Sequence, residues 1–202
     1  MKVYVDGENF RHGLANVLMA EGLIANSREL TAFPLRQVLT DVLAITDLEI
    51  AYYTSKIKLP RGYKPSEAIL NRASEINEFN RKWTAALLRQ DIEHIKAGYL
   101  KVKSGEPCRK CGERIEILQE KGVDVRIAVD IVTQISRGKR SQLALMSSDT
   151  DLIPAIDRAR KQGVHVVYVC FGEAVNRAVS ASVDETITIS NAKVAQYFKG
   201  QF

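Results

Sequence analysis

Cysteine, histidine and long apolar runs are scarce in this chain of 202 residues. Its three cysteines would leave one unpaired in any disulfide framework, which argues against a small secreted scaffold. No apolar segment approaches the length that spans a bilayer, and the N-terminus enters a strand directly, without the charged and apolar regions of a secretory signal. We therefore expect a cytoplasmic protein with no membrane partner.

Several familiar catalytic motifs are also missing. The chain contains no GxGxxG loop for a dinucleotide and no GxxxxGK[ST] loop for a nucleotide phosphate. It has no GxSxG turn that would present a nucleophilic serine. The three histidines, His12, His94 and His165, do not have metal-ligand spacing. These absences argue against dinucleotide, P-loop, serine-hydrolase and histidine-metal chemistry.

The composition is that of one globular domain with a mild positive charge. Hydrophobic residues make up 46% of the chain, which is enough for a solid core. The formal net charge is +5 and the sequence pI is near 9.1. Such a balance is compatible with a phosphate-rich partner without requiring one.

Short apolar segments alternate with helical patterns along the chain. QLALMSS and GVHVVYVCF are typical of buried strands, whereas FPLRQVLTDVLAI and DVRIAVDIVTQIS have helical periodicity. Ser66 is predicted to cap a long helix in which Ile69, Ala73 and Trp83 recur at helical spacing. This alternation predicts an α/β fold with a mostly parallel central sheet flanked by helices. Ligands bind such sheets at the carboxyl ends of the strands.

The stretch VYVDGENF places Asp6 at the end of the first predicted strand. One interpretation is turn chemistry at Asp6 and Gly7, with Asn9 capping the next helix. The other is that Asp6 lies at the functional edge of the sheet and binds a ligand. The rest of the chain has to decide between them.

Two further acidic motifs fall on the same predicted edge. Asp149 and Asp151 follow the QLALM strand, and Asp124 follows Gly122 at the start of a helix. Each motif alone also fits a structural role, because carboxylates cap helices and favour their first turn. Asp130 lies six residues after Asp124 and is expected to point away from it.

Clustered carboxylates repel each other unless a cation or a proton is shared among them. Mg²⁺ and Mn²⁺ prefer oxygen ligands, and such ions activate water and stabilise the leaving oxygen of a phosphodiester. The three motifs together therefore favour metal-dependent phosphodiester chemistry.

The motifs VDGENF, EKGVDVRIAVD and SSDTDLIPAI, in this order, resemble the NYN domain family of the PIN-like nuclease superfamily. YYTSKI and the VHVVYVCF ending are similar to the family as well. The resemblance implies a Rossmann-like PIN-type fold over residues 1–202, with the long helix and CRKCG as an insertion at about 60–115. It also implies cleavage of RNA with Mg²⁺ or Mn²⁺.

The same resemblance implies roles for individual residues. The acidic metal pocket would consist of Asp6, Asp124, Asp149 and Asp151, and the supporting residues would be Asn9, Ser147 and Ser148. A non-catalytic RNA-binding or regulatory protein on the same fold is the alternative. A phosphoryl-transfer enzyme of the toprim type fits the Asp149–Asp151 spacing but lacks a glutamate at the end of the first strand, since Glu8 comes too late.

Basic residues near these motifs are candidates for gripping single-stranded or structured RNA. The segment TSKIKLPRGYKP follows the second strand, and Lys121 precedes the Asp124 motif. Lysine and arginine neutralise phosphates while an aromatic ring stacks on a base. A solvated loop is the equally weighted alternative. The candidates for RNA binding are Lys56, Lys58, Arg61, Tyr63, Lys64 and Lys121.

The CRKCG segment carries Cys108 and Cys111 at the spacing of a zinc knuckle. Two thiolates do not complete a tetrahedral site. A structural Zn²⁺ shared across a homodimer and a pair of free thiols both fit the sequence.

Overall fold

The computed structural model describes residues 1–58, 65–107, 109, 111–112, 114–138 and 141–200. Seven strands and seven α-helices lie in these ranges, joined in places by 3₁₀ turns. The strands are β1 (Lys2–Asp6), β2 (Glu49–Lys58), β3 (Glu93–Pro107), β4 (Arg114–Lys121), β5 (Gln142–Met146), β6 (His165–Phe171) and β7 (Glu185–Ile189). The helices are α1 (Gly7–Ala20), α2 (Leu35–Leu43), α3 (Glu67–Leu88), α4 (Val123–Ser136), α5 (Ile153–Lys161), α6 (Arg177–Ser182) and α7 (Asn191–Lys199).

All seven strands form one sheet in the order β4-β3-β2-β1-β5-β6-β7. Every pairing is parallel except that between β3 and β4, which is antiparallel. The order reverses at β1, which has β2 on one side and β5 on the other. The predicted mostly parallel α/β fold is therefore confirmed, and β1 and β5 flank the switch point where such sheets bind ligands.

Helices cover both faces of the sheet, as the short apolar strands predict. Val3 and Val5 point into a core formed with α1, α2, α3 and α7. Tyr4, between them, points into a second core formed with α4, α5 and α6. The alternation along β1 thus distributes its side chains between two hydrophobic layers, which fixes the strand at the centre of the molecule.

Local signals explain several element boundaries. Ser66 caps α3, as predicted, by accepting a hydrogen bond from the Ile69 N–H at 3.4 Å. Pro34 directly precedes α2, where a proline suits the helix start. Gly122 adopts a φ of +88° before α4, a conformation that favours glycine.

Two elements differ from the sequence-based expectation. The segment after CRKCG forms β4, which pairs antiparallel with β3, and α7 follows the final strand.

The insertion at about 60–115 stays a prediction; its described residues form α3, β3 and the start of β4. Cys108 lies outside the described residues, and Cys111 is exposed with a free thiol, so the zinc prediction stays untested. Among the helices described, none combines the length and apolarity needed to cross a bilayer.

Candidate metal centre

Asp6 ends β1 and also caps α1. Its Oδ1 accepts a hydrogen bond from the Asn9 N–H at 3.1 Å. The interpretation with Asn9 as the cap is therefore wrong, because the helix begins at Gly7 and the cap must come before it. A Cβ on Gly7 would lie 2.5 Å from the Tyr53 carbonyl oxygen, so only glycine lets α1 begin this close to β2.

The Asp6 carboxylate is buried, with 7% of the residue exposed. Burial raises its pKa, and the charge of Asp149 adds to the rise, against the lowering by hydrogen bonds from Asn9 and Ser147. The Ser147 hydroxyl donates to Asp6 Oδ2 at 3.3 Å. The free-energy cost of burying this charge is reduced when the carboxylate binds a proton or when a cation lies beside it.

The loop after β5 is tied to the start of α1. The Ser148 N–H donates to Asn9 Oδ1 at 3.2 Å, and the Asn9 amide donates to the Ser148 hydroxyl at 2.9 Å. Asn176 donates from its side-chain amide to the Ser148 carbonyl at 2.8 Å. These bonds hold the polar ends of the neighbouring strands β1 and β5 in one fixed arrangement.

Asp149 caps the short 3₁₀ turn Thr150–Leu152, as the capping interpretation predicted. Its Oδ1 accepts the Asp151 N–H at 2.9 Å, while its own N–H donates to the Ser147 hydroxyl at 3.2 Å. Capping and metal binding do not compete here, because one carboxylate oxygen can accept the hydrogen bond while the other takes a cation.

Three carboxylates converge at this edge. Asp124, Asp149 and Asp151 each offer an oxygen, and these atoms lie within 4.8 Å of one another. Asp124 reaches the group from the first turn of α4, and Asp151 is exposed whereas the other two are partly buried. Asp6 is outside this group but is joined to Asp149 through the Ser147 hydroxyl. Three of the four predicted acids therefore converge at one end of the sheet, and Asp6 is linked to them; we call these four residues the acidic edge.

Asp130 stands apart, as predicted. It accepts hydrogen bonds from the Tyr53 hydroxyl at 3.0 Å and from Arg126 Nε at 2.9 Å. These contacts make it a structural residue of α4.

Glu120 is a further acid of this edge that the sequence analysis did not single out. Burial raises its pKa to about 7, and the charges of Asp6, Glu8 and Asp124 add to the rise. It lines a cavity of about 420 Å³ together with Asp6, Asn9, Ser147 and Ser148. The signal was available in the motif itself, where Glu120 is the first letter of EKGVD.

The sequence pattern of the NYN domain matches residues 1–190. The chain belongs to the NYN domain family. This is a PIN-like nuclease family whose members typically use divalent metal ions. The chain is also similar in fold to a crystallised protein of unknown function from Vibrio parahaemolyticus RIMD 2210633, with a TM-score of 0.49 and 12% identity over 93% of this chain and 91% of that one. Among proteins with curated descriptions, none matches the chain.

The donor set of this NYN domain fits a hard divalent cation. Its converging ligand atoms are all carboxylate oxygens, the type that Mg²⁺ and Mn²⁺ prefer. Burial raises the pKa of Asp6, and a cation bound beside it would favour its charged form.

The predicted RNA-binding residues of the NYN domain have different placements. Lys56 and Lys58 are exposed near the end of β2, and Lys121 is exposed at the end of β4, three residues before Asp124. Their role stays a prediction. Three others, Arg61, Tyr63 and Lys64, lie outside the described residues.

Proposed function

We propose that the protein is a metal-dependent ribonuclease. The observation that carries the proposal is the convergence of Asp124, Asp149 and Asp151 within 4.8 Å, beside the buried Asp6, at the switch point of the sheet. These four residues would hold Mg²⁺ or Mn²⁺. When bound, such an ion would supply a water of lowered pKa and charge stabilisation at the leaving oxygen of a phosphodiester.

The chain's own residues orient this site. Ser147 binds both Asp6 and the Asp149 backbone, and Asn9 binds Ser148. The Ser147 hydroxyl bonds Asp6 and is only 1% exposed, so a substrate phosphate cannot reach it, which supports direct attack by water rather than a covalent serine intermediate. Glu120 lines the same cavity and burial raises its pKa, so we propose it as the group that exchanges a proton with water there.

RNA is the proposed substrate and partner. Phosphates would contact Lys56, Lys58 and Lys121, which are exposed at the ends of β2 and β4. Arg61, Tyr63 and Lys64 are proposed to extend this contact. A homodimer and a cytoplasmic location stay predictions.

The test is cleavage of an end-labelled single-stranded RNA in Mn²⁺, in Mg²⁺ and in EDTA. We expect cutting that requires the metal and that falls at least about 100-fold in Asp149→Asn, since even residues behind metal ligands are worth about 10- to 100-fold. Asparagine keeps the side-chain oxygen that accepts the Asp151 N–H, so the 3₁₀ turn Thr150–Leu152 should stay folded. The matched control is Asp157→Asn, an exposed carboxylate on α5.

The outcome separates the two functions considered for the fold. Cleavage by wild type and Asp157→Asn, lost in Asp149→Asn, supports the ribonuclease. Binding of RNA without cutting in either metal would overturn it and favour the non-catalytic RNA-binding protein.

A further inference from the structure

β2, β3 and β4 extend past the acidic edge and form a three-stranded extension of the sheet. Asp6, the last residue of β1, pairs with Tyr53, yet β2 continues from there to Lys58. β3 continues beside it to Pro107, and β4 returns along β3. At about 3.3 Å per residue, β2 projects roughly 17 Å beyond the end of β1.

The register of this extension places lysines and one tyrosine on the same face. Side chains that are paired directly across neighbouring strands point to the same side of a sheet. One row consists of Lys56, Tyr99 and Lys121, and the next contains Lys58 and Lys101. Lys103 follows two residues further along β3, again on this side. We call the group Lys56, Lys58, Tyr99, Lys101, Lys103 and Lys121 the basic face.

No described helix covers the basic face. Earlier in β3, Ile95 and Ala97 pack against the core that contains α4, but α4 begins only at Val123, just after Lys121. The opposite side of the extension faces α3, where Leu100 and Leu118 line a cavity of about 630 Å³. All six side chains of the basic face are exposed.

The charge of the basic face is not neutralised within the described structure. None of its five lysines forms an ion pair with a described acidic residue. The residues paired across the strands with them, Gln119 and Ile117, are uncharged. Five positive charges equal the net charge of the entire chain, +5, so the rest of the molecule is balanced.

Tyr99 lies among the lysines of the basic face. The Nζ atoms of Lys56 and Lys58 lie 5.2 and 4.9 Å from the centre of its ring. An aromatic ring between lysines combines the two contacts that unpaired nucleotides make, base stacking and phosphate neutralisation. A base that stacks on the ring would displace the ammonium groups toward its own phosphates.

We infer that the basic face binds single-stranded RNA, with an unpaired base stacked on Tyr99 and the flanking phosphates on the lysines. Lys121 is the last residue of the row that contains Tyr99 and lies three residues before Asp124, so an RNA strand bound here leads to the acidic edge. The binding surface stands on its own geometry, whereas the claim that the bound strand is the one that is cut rests on the proposed ribonuclease function. A duplex would fit less well, because its base faces are already stacked inside the helix.

The test measures fluorescence anisotropy of a labelled 12-nucleotide RNA in EDTA, so that no cleavage occurs. Tyr99→Ala should weaken binding about 5- to 100-fold, as loss of one base–aromatic stack does. The double variant Lys101→Glu/Lys103→Glu should weaken it at least as much and make binding less dependent on salt. The matched control is Lys161→Glu/Lys199→Glu, which makes the same charge change at exposed positions on α5 and α7. The same sequence annealed into a duplex should bind more weakly than the single strand.

Each contrary outcome has a distinct meaning. Equal binding by wild type and the Lys101/Lys103 variant, or equal losses in that variant and its control, would overturn the inference. Tighter binding of the duplex would do so as well. Binding that follows all expectations while no metal supports cleavage would leave the basic face standing and refute the ribonuclease.

Discussion

The acidic edge and the basic face lie side by side but are built in opposite ways. Two of the acids, Asp6 and Asp149, are held by hydrogen bonds to their carboxylates, and Asp6 itself is buried. The lysines of the basic face are exposed, and apart from the contacts of Lys56 and Lys58 with the Tyr99 ring they are placed by the register of their strands. A site for chemistry needs fixed positions, whereas a grip on a flexible phosphate chain benefits from side chains that can move.

We expect the largest effect on RNA cleavage when one negative charge is removed from the acidic edge. Asp6→Asn should lower RNA cleavage at least about 100-fold, because metal sites lose that much even from their supporting residues. Asparagine is as good a helix cap as aspartate, and the burial that raises the pKa of Asp6 no longer opposes a charge. Urea unfolding in EDTA should therefore show no loss of stability.

Asp6→Ala is the matched comparison, because it removes both the charge and the cap. It should lose cleavage and also about 1 kcal/mol of stability. If Asp6→Asn is destabilised as strongly as Asp6→Ala, the residue serves α1 rather than a metal. Full cleavage by Asp6→Asn would remove Asp6 from the site.

The next effect tests whether the hydrogen bonds that position the acids matter. Asn9→Ala cuts the connection between α1 and the Ser148 loop and should lower metal affinity and cleavage about 10- to 100-fold. The Mn²⁺ concentration at half-maximal cleavage is the readout. Asn71→Ala, at an exposed position on α3, is the control and should match wild type. Equal values for the two variants would mean that the edge needs no such support.

The residues of the edge were predictable because their signals are local. Asp6, Asp149 and Asp151 directly follow apolar strands, and Asp124 follows a glycine at a helix start. Which residue caps α1 was less accessible, since it depends on the exact start of the helix. Asp6 took that role because a helix beginning at Gly7 leaves its carboxylate facing the Asn9 N–H.

The basic face was only partly predictable because pairing between strands creates it. Lys56, Lys58 and Lys121 were recognised as candidates, but Tyr99 and Lys101 join them only through the register of β3 with its neighbours. β4 itself is half charged and was not expected as a strand. Glu120 stands in the EKGVD motif, but its burial beside Asp6 depends on β4, which the sequence analysis did not expect.

Glu120 gives a smaller effect that depends on pH. Its pKa is about 7 in the folded protein and 4.5 in the unfolded chain, so between these values the folded state binds more protons. The free energy of unfolding in EDTA should therefore fall as the pH rises from about 5 to 7, and this contribution should level off above that range.

Glu120→Gln should reduce the slope of stability against pH over that range. The pKa of His94 is also shifted, but His94 is present in both proteins, so its contribution cancels in the difference between their slopes. Asp6 interacts with Glu120, so this difference reports Glu120 together with its coupling to Asp6. Urea unfolding at pH 5, 6, 7 and 8 provides the measurement. Identical slopes would mean that the position of Glu120 on β4 does not desolvate its carboxyl group in the folded protein.

The smallest expected effect belongs to Lys121, which lies at the boundary of the two regions. Its side chain is exposed in the row with Tyr99, while its backbone leads through Gly122 to Asp124. If it belongs to the basic face, Lys121→Ala should lower the salt dependence of RNA binding by about 0.7 in the log–log slope, the value for one phosphate on a single strand. It should then raise KM and leave kcat unchanged, since a uniform binding contact is lost. A fall in kcat at unchanged KM would instead place the Lys121 ammonium group at the reacting phosphate. Lys121 would then belong to the acidic edge and not to the basic face.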